Sequence, residues 1–133
     1  MEKVRVVAAG DSAILILFKQ EISEEVNRAI SATVQLIKMQ QIEGIVDMIP
    51  AYASLLVEYN PLVIRYEELY KRLHSIVKMD TQVESLEKKI WEIPVCYGGE
   101  FGPDLSFVAE NSGYSVEEVI ERHSRDAYLI YML

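Results

Sequence analysis

Residues 13–30 read Ala13-Ile14-Leu15-Ile16-Leu17-Phe18-Lys19-Gln20-Glu21-Ile22-Ser23-Glu24-Glu25-Val26-Asn27-Arg28-Ala29-Ile30, and a change of pattern inside them decides the fold. Up to Phe18 the run is short, apolar and rich in β-formers, as a strand should be. From Ser23 the period changes. Ser23 can cap a helix whose first turn carries Glu24 and Glu25 at the positive end of the dipole, and Val26, Ile30, Thr33 and Ile37 then recur at helical spacing. The helix should run to about Gln40, with Gly44 closing the turn after it.

Working outward, Val4-Arg5-Val6-Val7 is a second β-rich run, and Gly10-Asp11-Ser12 supplies turn chemistry, so residues 4–18 read as a β-hairpin. Downstream, Ile45–Ile49 and Leu55–Tyr59 are two more strands, joined by Pro50-Ala51-Tyr52-Ala53-Ser54. Pro50 has no N–H for a ladder and should end the first of them. Past Asn60-Pro61, the residues Tyr66, Leu69, Leu73, Ile76 and Val77 mark one face of a second helix. Glu67 with Lys71 and Glu68 with Arg72 sit four apart on the other face.

The order is β-β-α-β-β-α over residues 1–79. The expected fold class is α+β, a two-layer domain with a four-stranded, mainly antiparallel sheet and both helices on one face, because each helix has one apolar stripe to bury. Val26, Ile30, Ile37, Leu69, Leu73 and Ile76 are expected to face the sheet. Residues 80–89 lose the clean stripe and read as a linker, and a new unit occupies residues 90–133.

Composition limits the function classes. The chain has 133 residues, 50% of them apolar and 26% charged, which suits one domain, or one small domain with a piece of another. Thirteen basic against 21 acidic side chains give a formal charge of −8 and a pI near 4.8, which argues against a grip on nucleic-acid phosphates. The longest uncharged run, Met48–Val57, is about half of the roughly 20 residues a membrane span needs. The first residues lack a signal-peptide core, so a cytoplasmic protein with no membrane partner is expected. One cysteine, Cys96, excludes an internal disulfide, and His74 and His123 without a Cys partner give no zinc spacing, so no metal is expected.

In the second unit, Trp91, Ile93, Val95 and Tyr97 alternate, which predicts a strand with Pro94 at an edge or bulge. The chain then turns through Gly98-Gly99-Glu100-Phe101-Gly102. Pro103 suits the first position of a helix ending near Gly113. Ser115-Val116-Glu117-Glu118 is a capping box, and Tyr114 can staple against Val119, so a helix of about ten residues should follow. Ala127–Leu133 is an uncharged run read as a strand that stops at the last residue. The chain is therefore expected to have been cut inside a larger domain, leaving an orphaned strand whose nearest mate is Trp91–Tyr97 and a homodimer formed through residues 90 onward.

The chemistry-bearing candidates each carry a plainer reading. The helix pair Leu105–His123 has helix-turn-helix spacing, yet it would present Glu117, Glu118 and Glu121 against Arg122, and that repulsion excludes nucleic acid. Gly98–Gly102 is either a backbone nest for an anion or a tight turn. Neither a Walker pattern nor a dinucleotide fingerprint is present. Glu100 and Asp104 are either paired carboxylates or solvated acids at the helix that begins at Pro103. His123 is either catalytic or a cap on the negative end of its helix. Cys96 reads as an inert, packed thiol.

The string Glu92-Ile93-Pro94-Val95-Cys96-Tyr97-Gly98-Gly99-Glu100-Phe101-Gly102-Pro103-Asp104-Leu105 resembles the KipI family, also known as the 5-oxoprolinase B-type subunit or as allophanate hydrolase subunit 1. Gly10-Asp11-Ser12-Ala13, Ile49–Leu55, Ser115–Ile120 with His123, and Tyr128–Leu133 match the same family in order, so the resemblance covers nearly the whole chain. It implies an N-terminal α/β layer pair followed by a cyclophilin-like β-barrel related to part of a biotin-dependent carboxyltransferase. Residues 90–133 would be the incomplete start of that barrel, and in the family a Gly-Phe-x-Pro-Gly-Phe segment comes next. The activity implied is that of one component of bacterial ATP-dependent 5-oxoprolinase, converting 5-oxoproline to glutamate with partner subunits. In the KipI branch the family instead inhibits autophosphorylation of a sporulation histidine kinase. The implied partners are accordingly other 5-oxoprolinase subunits or a sensor histidine kinase. ATP and Mg are expected only in the full complex, with no cofactor in this chain, which is expected to be inactive alone. The motif places Gly98, Gly99, Phe101, Gly102 and Pro103 as binding candidates and Glu100, Asp104 and His123 as catalytic candidates.

Overall fold

The computed structural model describes residues 4–79 and 89–132. The expected linker over 80–89 lies, but for Lys89, outside them. The chain divides into two compact bodies, residues 4–79 with 130–132, and residues 89–129.

The first body contains β1 (Arg5–Ala8), β2 (Ala13–Leu17), α1 (Glu24–Met39), β3 (Ile45–Pro50), β4 (Ser54–Tyr59) and α2 (Tyr66–Ile76), in the expected order. Its four strands form one sheet, β1-β2-β4-β3, with every neighbouring pair antiparallel. Register follows the period-two pattern: Val6 lies opposite Ile16, Ile16 opposite Leu55, and Ile14 opposite Val57. These five side chains therefore share one face, and they are all buried. Val26, Ile30 and Ile37 of α1 and Leu69, Leu73 and Ile76 of α2 belong to the same apolar core, so all six helix residues expected to turn inward do so. Removing such aliphatic side chains from water is worth about 1.5–3 kcal/mol each before the entropy of ordering them.

Local signals account for the ends of these elements. Ser23 Oγ accepts from the Val26 N–H at 3.3 Å, the N-cap bond expected for α1. Thr33, buried in the core, donates its hydroxyl to the Ala29 carbonyl at 2.8 Å, which satisfies it. Gly44 turns the chain into β3 at φ +95°, where a Cβ would stand 2.7 Å from Cγ2 of Ile64. The Asn60 N–H donates back to the Gly44 carbonyl at 2.8 Å, and Asn60 Oδ1 accepts from the Leu62 N–H at 3.0 Å, tying the loop after β4 to the one before β3. β3 is an edge strand with a register shift between Ile45 and Asp47, and Pro50 is its last residue. A bulge and a terminal proline are both devices that interrupt an exposed edge.

The second body has a single-turn 3₁₀ segment, Gly99–Phe101, then α3 (Leu105–Ser112) and α4 (Val116–Arg125). α3 begins two residues later than expected. Gly102 has a non-helical backbone, Leu105 rather than Pro103 takes the first helical position with Asp104 at the cap, and Leu105 donates its N–H to the Gly102 carbonyl at 3.2 Å. The end is as expected, with Gly113 left-handed at φ +73°. The capping box is formed in full: Glu118 N–H donates to Ser115 Oγ at 3.2 Å and Ser115 N–H to Glu118 Oε2 at 2.8 Å.

The two strands expected here are not formed. Residues 89–97 and 127–132 carry no ladder. Trp91, Ile93 and Val95, whose alternation suggested an inward face, are 65%, 72% and 52% exposed. Alternation supplies a face, but a strand exists only when a neighbour takes its N–H and C=O groups. Among the described residues of this body only Ala109 is buried.

Candidate cleft beside the glycine loop

The turn Gly98–Gly102 depends on two of its glycines. Gly98 has φ +79° and ψ −176°, a region open essentially to glycine alone. A Cβ on Gly102 would lie 2.8 Å from the Gly98 nitrogen, so the two ends of the loop meet backbone to backbone. The Phe101 N–H donates to the Gly98 carbonyl at 3.2 Å and closes the turn. This loop, the start of α3 and one side of α4 enclose an open cleft of about 310 Å³. Val95, Leu105, Val108 and Val119 give it apolar walls, and Tyr97, Asp104, His123 and Cys96 bring its polar groups.

His123 reaches the cleft from the last turn of α4. Its Nδ1 lies 2.5 Å from the Tyr97 hydroxyl, the two rings meeting edge to face at 84° with centroids 5.7 Å apart. Tyr128 places a second ring 5.8 Å from the imidazole, tilted by 35°. The arginines of α4 are engaged elsewhere. Arg122 stands 4.0 Å over the Tyr114 ring, and Arg125 Nε and Nη2 donate to the two Asp126 oxygens at 3.2 and 3.3 Å. The hydrogen bond from Arg125, with its charge, holds the Asp126 carboxyl below its ordinary range, and the same bond raises Arg125.

Of the residues singled out from the sequence, Gly98, Phe101, Gly102, Asp104 and His123 line this cleft, while Gly99, Glu100 and Pro103 stay in the loop without facing it. Glu100 and Asp104 therefore do not meet as a carboxylate pair on the cleft. Asp104 makes no side-chain cap bond to α3, and the partner of His123 is a phenol. Cys96 is exposed and lines the cleft, which corrects the expectation of a packed thiol: the sheet that would have covered it is not formed. Tyr97 is the residue that sequence reasoning missed. It lies 26 positions from His123, a separation no spacing rule covers, and its alternation with Val95 pointed to a strand face instead.

Among the described residues no three His, Cys, Asp or Glu side chains gather in a way that could hold a metal ion. No Lys or Arg is among the residues lining the cleft. These residues do not fit a magnesium nucleoside triphosphate, whose phosphates need cationic or metal partners. No described helix is long and apolar enough to cross a membrane.

Known proteins share this architecture. The chain is 42% identical to the 5-oxoprolinase B-type subunit of Bacillus subtilis over 93% of its own length and 56% of the relative's. The protein of the same name from Haemophilus influenzae is 29% identical over 98% of this chain and 59% of its own. The chain thus spans somewhat over half the length of these curated relatives. Among solved structures, the conserved uncharacterized protein PH0987 from Pyrococcus horikoshii matches 92% of this chain and 56% of its own at 48% identity, with a TM-score of 0.54. TTHA0988 matches 98% of this chain and 24% of its own at 31% identity, with a TM-score of 0.74. The model of the carboxyltransferase domain, subdomains C and D, matches residues 4–133; with nearly every position covered, the chain belongs to that family, as its resemblance to the 5-oxoprolinase B-type subunit implied.

Proposed function

We propose that this chain works as part of an ATP-dependent 5-oxoprolinase, in which partner subunits join it to hydrolyse 5-oxoproline to glutamate. The observation that carries the reading is the 42% identity to the Bacillus subtilis 5-oxoprolinase B-type subunit along 93% of this chain. Membership of a carboxyltransferase domain family agrees with an enzyme component. In this reading the chain is not an autonomous hydrolase. ATP and Mg belong to the assembled complex, and the protein to the cytoplasm; that no Lys or Arg lines the cleft is consistent with nucleotide binding outside it.

The same reading has both helices of residues 1–79 covering one face of the sheet, 80–89 as a linker, and 90–133 opening a cyclophilin-like barrel. The exposed alternation of Trp91, Ile93 and Val95 supports the last point, because it is the pattern of a strand face awaiting a mate. The exposed Tyr128, Ile130 and Met132 give the chain alone a route to a homodimer by the same pairing.

The test is to coexpress the chain with the partner 5-oxoprolinase subunits and measure ATP hydrolysis that requires 5-oxoproline. Loss of turnover when this chain is omitted is expected. Turnover indifferent to the chain, together with inhibited autophosphorylation of a sporulation histidine kinase, would replace this reading with the KipI one.

A further inference from the structure

We infer that the cleft between the glycine loop and α4 is a binding site for the cis-amide edge of a small cyclic amide. His123 donates to its carbonyl oxygen, Asp104 accepts from its N–H, and Tyr97 sets the tautomer of His123. The inference rests on the 5-oxoprolinase reading only for the choice of a lactam as the probe.

The geometry carries the argument in three steps. First, the Tyr97 hydroxyl and His123 Nδ1 are within hydrogen-bond distance, at 2.5 Å. A phenol O–H is a good donor and a neutral imidazole nitrogen a good acceptor, so the shared proton stays on the Tyr97 oxygen and the imidazole carries its own on Nε2. Nδ1 is then occupied, and Nε2–H is the group His123 has left to offer a ligand. The rings of Tyr97 and Tyr128, with centroids 5.7 and 5.8 Å away, restrict how the imidazole can turn. Tyr97 is thus a positioning residue, and His123 is the one that touches the ligand.

Second, the cleft supplies an acceptor as well. Asp104 lines it and makes no cap bond with α3, so its carboxylate is available to a ligand N–H. One donor and one acceptor in a shared cleft complement a group that presents C=O and N–H on the same edge. An open-chain secondary amide is trans and directs the two oppositely, whereas a small ring forces them cis.

Third, size and charge narrow the class. At about 310 Å³ the open cleft is on the scale of a small-ligand site, with room for a five- or six-membered ring. Val95, Leu105, Val108 and Val119 suit its methylene carbons. With Asp104 present and no Lys or Arg lining the cleft, an anionic group would be repelled. A carboxylate carried by the ring must point out through the open mouth.

The experiment is a nuclear magnetic resonance titration of the 133-residue chain, following the His123 ring signals with 2-pyrrolidinone, 5-oxoproline and L-proline in turn. L-Proline has the ring and the carboxylate but no amide. Both lactams should shift the His123 signals saturably, and L-proline should not. Ring-nitrogen shifts should report the proton on Nε2, and Tyr97→Phe should mix the tautomers and weaken lactam binding about threefold to tenfold, the worth of one hydrogen bond. Read instead by the backbone amide signals of Gly98 and Gly102, which line the cleft, His123→Ala should abolish the saturable lactam shifts, and His123→Gln, which keeps an N–H donor, should restore part of them. Equal shifts with L-proline, no shift with either lactam, or a proton on Nδ1 would overturn the inference. The two readings fail separately: a complex that needs this chain for turnover while the lactams leave His123 unmoved defeats the site alone. Lactam binding in a chain the complex does not need defeats the 5-oxoprolinase reading alone.

Discussion

The two bodies of this chain have equally good local signals and very different interiors. In the first, Ile30 and Ile37 of α1 and Leu69, Leu73 and Ile76 of α2 share one core with the wholly buried sheet residues Ile14, Ile16, Leu55 and Val57. In the second, α4 has a complete capping box, yet Val116, Val119 and Ile120 remain half-buried and Ala109 is the buried residue. Caps and periodicity determine where an element starts and which way it faces. Burial needs a second surface, and only the first body has one within the described residues. The first should therefore depend on packing, and the second on caps and turn geometry.

The largest effect expected from that contrast is at Leu73. Leu73→Ala empties a position with no exposure, and should cost about 2–5 kcal/mol in urea unfolding. Val119→Ala, a smaller truncation at a half-buried site, should cost about 1 kcal/mol or less. Residue-resolved hydrogen exchange separates the bodies: Leu73→Ala should raise exchange in β2, β4 and α1 while leaving α4 unchanged. Similar losses from both variants would mean that the second body has a core of its own.

Next in size is a backbone effect. Gly44→Ala puts a Cβ 2.7 Å from Cγ2 of Ile64 at φ +95°, so it meets both strain and a clash with a buried side chain. About 1–3 kcal/mol should be lost, visible as a lower Tm. Gly113→Ala has a positive φ too, but nothing stands near its Cβ, and it should cost clearly less. If the two proved equal, strain alone would explain both and packing around Ile64 would be irrelevant.

What could be read in the sequence divides along the same line. Ser23, Ser115 and Gly113 act within a few residues of themselves, and their roles were legible. The six inward residues of α1 and α2 were legible because a helix with one apolar stripe has one way to bury it. Trp91–Tyr97 was misread because its pattern is that of a strand while its ladder depends on residues elsewhere in the chain. Pro103 was misread by two positions because a 3₁₀ turn used the residues before it. The glycine loop stood out as a motif, but the pairing of Tyr97 with His123 is a product of tertiary geometry. Asp104 and Glu100 look alike in the sequence, and only the turn separates the one on the cleft from the one beside it.

A third comparison concerns the caps. Ser115→Ala removes one bond of the capping box outright and leaves Glu118 reaching for a backbone N–H without its counterpart. α4 has no wholly buried side chain to compensate, so about 1 kcal/mol should be lost from that helix, with faster exchange confined to it. Ser23→Ala removes the equivalent bond from α1, where the core holds the helix in place. Its effect on exchange should be limited to the first turn. Fraying of α1 to the same extent as α4 would show that the core contributes less than its burial suggests.

The smallest effect lies in the surface charges, where the two bodies can be compared through one pair each. Glu68 and Arg72 are four apart on α2 at 2.6 Å, so their contact exists only when the helix is formed, and it should contribute about 0.3–0.5 kcal/mol in a double-mutant cycle. Arg125 and Asp126 are sequence neighbours, so much of their attraction survives unfolding and little of it can appear as stability. Its signature is in titration. The Asp126 carboxyl is held low, chiefly by the Arg125 hydrogen bond, so it stays ionised until the pH falls below its ordinary range. Any stability it gives is present above the unfolded-state value and is lost as the pH falls through the lowered one. Arg125, raised in turn, stays charged throughout. Arg125→Ala should move the Asp126 midpoint, read by its carboxyl carbon shift, upward toward the ordinary value, with unfolding in neutral urea almost unchanged. A midpoint indifferent to Arg125 would remove the pair from the account, and a clear loss of stability would mean that the end of α4 is held by more than its own neighbours.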